Sequence, residues 1–245
     1  MEGYPPLDSV TPLHHFVIPL PLQGRNLQPL LVVSRQSATP TLRPFTPPLS
    51  ASPLSPYLLL MHRLFVAIHP PATIRSQLLA QMAGVPGARW QDDGQLHLTL
   101  RFIGEVDRHR ADDIADALAG VRFQPFAIAL AGTGYFDRRG VVDTLWAGVQ
   151  PRDPLAHLHA KVDRACTSTG IAPEARAYLP HITLARFSRH GGDIAPFLAL
   201  HAGLASPTFT VDEFSLYESR LGHAGSSYHA VETYRADGHP GARDD

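Results

Sequence analysis

"HLTLRFIGE" at residues 97–105 is answered 84 positions later by "HITLARF" at residues 181–187. In an extended strand successive side chains leave opposite faces, so His97 and Thr99 project one way while Leu98 and Leu100 project the other. His181 and Thr183 stand in the same relation to Ile182 and Leu184. Each copy reads as a strand with an apolar back and a polar front. One such strand is an ordinary half-buried strand; two in the same phase are a poor match to chance. Halves packed about an approximate two-fold axis would make two imidazoles and two hydroxyls converge.

The flanking segments repeat as well. In the first half, "RLFVAI" (63–68) is rich in β-formers. The stretch "ATIRSQLLAQMAG" (72–84) sets Ile74, Leu78 and Met82 at helical spacing and stops at Gly84. After the first motif, "RADDIADALAG" (110–120) carries Ile114 and Leu118 on one stripe, and "FAIALAGTGYF" (126–136) reads as a strand. The second half opens with "TLWAGV" (144–149). Then "PLAHLHAKVDRACTSTG" (154–170) presents Leu155, Leu158, Val162 and Ala165 as an apolar helix face closed by Gly170. The second motif, a short helical piece at 193–203 and closing strands at 209–221 and 226–236 complete the echo.

Residues 1–60 hold 12 of the 23 prolines and 10 Ser or Thr residues without an amphipathic period, so they read as a disordered extension. Met61, immediately before the first strand, is the expected true start. The folded unit is expected at 61–236, with 237–245 a flexible tail. The net charge of -1 provides no global basic field for nucleic acid or membranes, so phosphate binding has to be local. The single cysteine, Cys166, excludes an internal disulfide and points to the cytoplasm. The longest early apolar run, "YLLLM" (57–61), falls far short of the roughly 20 residues a membrane-spanning helix needs, and no secretory signal pattern opens the chain.

The paired histidines suit in-line attack at phosphorus. A neutral imidazole takes a proton from the incoming water, an imidazolium gives one to the departing oxygen, and threonine hydroxyls donate to the non-bridging oxygens. A cyclic phosphodiester fits this set, and neither metal nor cofactor is needed. No HExxH occurs, and His157 and His159, two apart on a helix, diverge. "GTGYFD" (132–137) lacks the third glycine and following helix of a dinucleotide fingerprint. Phe65, Tyr135, Phe136 and Trp146 are open to base stacking, although core packing is the better-supported role.

The doublet, with "RLFVAI" ahead of it, "ARWQ" before the first motif and "TLWAGV" between the two, resembles the 2H phosphoesterase superfamily. The likeness is to its bacterial RNA 2',3'-cyclic phosphodiesterases, also described as 2'-5' RNA ligases, and runs from about Arg63 to about Ala236. The resemblance implies an α+β, bilobal fold of two pseudo-symmetric antiparallel sheets facing a central cleft, with helices on the outer faces. It implies His97 as proton donor, His181 as proton acceptor and Thr99, Thr183 and Arg186 as phosphate ligands. The implied reaction opens an RNA 2',3'-cyclic phosphate to a 2'-phosphomonoester. The alternatives are a 2'-5' RNA ligase acting on tRNA halves, or a nucleotide-binding module with little turnover. A monomer without an obligate protein partner is expected. Strict alternation puts Arg186 on the back of its strand and Arg101 on the front, so Arg101 competes as phosphate ligand unless a bulge at Ala185 turns Arg186 round.

Overall fold

The computed structural model describes residues 61–188, 192–222 and 225–238. The extension at 1–60 and most of the tail lie outside the described residues. The first half comprises strand β1 (His62–Ile68), helix α1 (Ala72–Leu79), short strand β2 (Ala88–Trp90), strand β3 (Leu98–Val106), helix α2 (Arg108–Ala119) and strand β4 (Phe126–Arg138). The second comprises β5 (Val141–Gln150), α3 (Asp153–Ser168), β6 (His181–Phe187), α4 (Ala195–Leu200), β7 (Phe209–Val211), β8 (Glu213–Gly222) and β9 (Gly225–Arg235).

Local chemistry accounts for the helices. Asp107 caps α2 by accepting from the Arg110 amide at 2.9 Å, and Ile114 and Leu118 form its buried stripe. Pro154 sits in the first turn of α3, where a missing N–H costs nothing. The buried face of α3 is Leu155, Leu158, Val162 and Cys166. Cys166 takes the fourth place expected for Ala165, because a 3-4-4 spacing follows the helical period. Helix α1 ends at Leu79, short of the expected stop at Gly84, and Met82 packs partly buried beyond it.

The strands order as β7-β4-β5-β6-β3-β1-β8-β9, with β2 beside β6, and every pairing is antiparallel. This order is nearly palindromic about the β6–β3 junction. The final strands cross over: β4 closes the first half yet pairs with β5, and β8, late in the second, pairs with β1. Each half is thereby sewn into the other's sheet. The expected α+β class and paired halves are present; the expected two sheets are joined into one nine-stranded sheet, whose halves meet through one residue pair, Leu98 opposite Ile182. Both side chains are buried in the helix-facing core.

Truncating Ile182 to alanine leaves a cavity at that junction. Ile182→Ala is expected to lower the unfolding free energy by about 3 kcal/mol in a denaturant titration. A loss below about 1 kcal/mol would contradict the central role of the pair.

Candidate active site

The Leu98–Ile182 pairing fixes the site. Continuing this antiparallel register by one residue in each direction sets His97 beside Thr183 and Thr99 beside His181. All four side chains leave the face opposite the buried Leu98 and Ile182, the face expected to line the cleft and called the cleft face below, and all four residues are half-buried.

Each imidazole is held in the same way. His97 Nδ1 lies 2.7 Å from the Gln95 carbonyl oxygen and His181 Nδ1 lies 2.8 Å from that of Leu179, two residues upstream in both cases. A carbonyl has no proton to give, so Nδ1 carries the hydrogen and Nε2 is the working atom. Aromatic rings complete both seats. Phe65 and Tyr228 stand 4.9 and 5.1 Å from His97, and Phe136 and Trp146 stand 4.9 and 6.2 Å from His181. Three of the four aromatics expected to pack thus do so against a motif histidine. The fourth, Tyr135, is part-exposed beside a separate hollow formed with Asp137, Asp193 and Leu198. The Trp146 indole lies flat over Gly134, where a Cβ would stand 2.3 Å from ring carbons.

Beyond each threonine the strand bulges. Thr99 pairs with Ala67 and Arg101 with the adjacent Val66, leaving Leu100 as the extra residue; Thr183 pairs with Trp146 and Ala185 with Leu145, leaving Leu184. A bulge reverses the side-chain phase downstream. Arg186 is therefore exposed on the cleft face and Ala185 is buried, which resolves the phase conflict in its favour. Arg101, expected on the cleft face by alternation, is instead turned into the helix-facing layer. Its guanidinium there lies 2.8 Å from Asp163 and 3.2 Å from Glu174, and it donates to the Ala172 carbonyl. The structure thus places Arg101 in a buried ion-pair cluster, away from the face of the motif histidines. Two more side chains hold this bulge: His159 donates from Nδ1 to the Leu100 carbonyl at 2.7 Å, and Tyr178, stacked 4.2 Å from His159, donates to the Thr99 carbonyl at 3.3 Å.

By the same phase reversal Phe102 occupies the place in the first half that Arg186 occupies in the second. It is 52% exposed, and its ring stands 6.1 Å from Phe65. Phe102 was missed as a site residue. Applying to the first motif the bulge suspected in the second would have found it.

Burial lowers the pKa of both histidines, and the Arg186 charge lowers both further. His97, which also feels His181, is brought down to about 4. In the free protein near neutrality the pair is uncharged under a guanidinium field, a state ready to take up an anion together with a proton. Among the described residues no group of three His, Cys, Asp or Glu side chains is placed to hold a metal ion.

A family model for the 2'-5' RNA ligase superfamily matches residues 70–223. An RNA 2',3'-cyclic phosphodiesterase of Geobacillus stearothermophilus is 29% identical over 73% of this chain, which spans 59% of that relative's length. One of Thermus thermophilus is 32% identical, with 73% of this chain and 92% of that protein covered. Among solved structures, E. coli LigT complexed with 3'-AMP matches with a TM-score of 0.59 and 25% identity over 72% of this chain and 99% of its own.

The field at the histidines is open to direct test. Replacing Arg186 with alanine removes a positive charge that opposes protonation, so both imidazole pKa values are expected to rise while burial keeps them below 6.5. NMR titration of the ring carbons reads this, and values that stay put or fall would refute the assigned field.

Proposed function

Because the chain belongs to the 2'-5' RNA ligase superfamily, we propose that it hydrolyses RNA 2',3'-cyclic phosphodiester ends to 2'-phosphomonoesters by acid/base work of His97 and His181. Relatives named RNA 2',3'-cyclic phosphodiesterase at 29 to 32% identity support the substrate class. The observation that carries the mechanism is the matched tethering of the two rings, each with Nδ1 given to a carbonyl two residues upstream and Nε2 left for the cleft face.

In this mechanism water attacks phosphorus as His181 Nε2 takes its proton. The P–O3' bond breaks and His97 Nε2 protonates the departing 3' oxygen. One O–P bond forms and one breaks, and the two imidazoles exchange protonation states. The reverse proton movements, through solvent, restore the pair. The depressed pKa of His97 gives substrate charge a role: the anionic phosphodiester offsets the Arg186 field, so a proton enters with the ligand. Thr99 and Thr183 donate to the non-bridging oxygens and Arg186 balances their charge. Phe102 offers its exposed ring to a nucleobase. Ligation is the same transfer with an RNA 5'-hydroxyl in place of water.

Both motifs fall within 61–236, so each chain carries both histidines, and the proposed working form on RNA ends is a monomer. No helix among the described residues is long and apolar enough to cross a membrane. A cytoplasmic location fits the single buried cysteine.

Given an oligonucleotide ending in a 2',3'-cyclic phosphate, and with EDTA present, the protein is expected to form the 2'-phosphate product. His97→Ala and His181→Ala are each expected to lower kcat/KM at least about a hundredfold with circular dichroism unchanged. Near-wild-type turnover by either variant would refute the two-histidine mechanism. Binding without product by the wild type would instead identify a nucleotide-binding module.

A further inference from the structure

Strand β2 carries a guanidinium that the reaction at the histidines leaves unused. Arg89 stands directly opposite Arg186 in the β2–β6 ladder, flanked by the pairs Ala88–Phe187 and Trp90–Ala185. Directly opposed residues of an antiparallel pair share a face at a Cβ separation of about 5 Å, so Arg89 joins Arg186 on the cleft face. The flanking pairs turn back into the core, where the Trp90 ring stands 5.6 Å from Phe197. The Gln91 amide donates to the Leu184 carbonyl at 2.9 Å, tying β2 to the same bulge that turns Arg186 round.

Both arginines are exposed, and among the described residues neither has a carboxylate within ion-pair distance. Like charges set opposite each other on paired strands repel. Two unpaired forks held in that arrangement form a seat for an anion, and guanidinium geometry matches phosphate.

Arg186 faces the cyclic phosphate, and the position of Arg89 on its far side indicates which further phosphate Arg89 meets. Phe102 lies four residues beyond Leu98 and Arg186 four beyond Ile182, and because β3 and β6 are antiparallel they mark opposite ends of the site. A nucleotide leaves its ribose in two directions, the base from C1' and the chain from C4', on either side of the 2',3' edge. With that edge at the imidazoles and the base toward Phe102, the 5' side runs toward Arg186 and Arg89. We propose that Arg89, beside Arg186, holds the internucleotide phosphodiester next to the cyclic end, so that the protein selects RNA chains over free cyclic mononucleotides. The proposal rests on the cyclic-phosphodiesterase reading of the same site.

The test compares adenosine 2',3'-cyclic phosphate with adenylyl-(3'→5')-adenosine 2',3'-cyclic phosphate. Wild-type kcat/KM is expected to favour the dinucleotide at least about tenfold, the worth of one modest charged contact. In Arg89→Ala the ratio collapses toward one, chiefly through KM for the dinucleotide, and Arg89→Lys recovers part of it. The slope of log(1/KM) against log salt for the dinucleotide becomes shallower by about 0.7, one phosphate contact on a single strand. Equal losses on both substrates in Arg89→Ala, or no wild-type preference, would overturn the proposal. Failure of the wild type to turn over either substrate would overturn the phosphodiesterase reading, and the proposal with it.

Discussion

The extra residue that follows each motif threonine governs the arrangement of this site. Leu100 in β3 and Leu184 in β6 interrupt the pleat one position after the motif threonine. Up to that point the His-x-Thr alternation faces the cleft; beyond it the phase reverses, presenting Phe102 in one half and Arg186 in the other. Without the bulges both residues would point into the helix layer and Arg101 would lie beside the imidazoles. The same sequence would then form a different site.

The bulges are held from both sides. In β3, the carbonyls freed at Thr99 and Leu100 accept from Tyr178 and His159, which belong to the second half of the chain. The Arg101 guanidinium meets Asp163 and Glu174 in the same region. In β6, the Leu184 carbonyl accepts from Gln91, in the first half. Each half thus buttresses the other's motif strand, as the exchange of β4 and β8 does on a larger scale. Such cross-bracing keeps two strands in fixed relation although they share only the Leu98–Ile182 pair. It also keeps the histidines buried enough for one guanidinium to influence both.

Much of this was legible in the sequence because it depends on local period. The polar faces of the motifs, the stripes of α2 and α3 and the α+β echo of the two halves follow from alternation and helical spacing. The surroundings of Arg101 were not legible: alternation predicts the cleft, and only the registers with β1 and β5 reveal the extra residues. Strand β2 spans three residues, too few for a period, so Arg89 had no visible partner although its tetrapeptide stands out. The contact of Tyr228 with His97, and the bond from Gln95 to the Ser226 carbonyl beside it, join a closing hairpin to a turn far away in sequence, which no local pattern encodes.

The central claim is that the two bulged strands direct His97 Nε2 and His181 Nε2 at one phosphorus atom. A crystal structure of the protein bound to adenosine 2'-monophosphate, the product analogue, tests it most directly. The account predicts the phosphate between the rings, with one of its oxygens within about 2.6–3.2 Å of each Nε2. A phosphate contacting only one imidazole, or seated away from both, would contradict it.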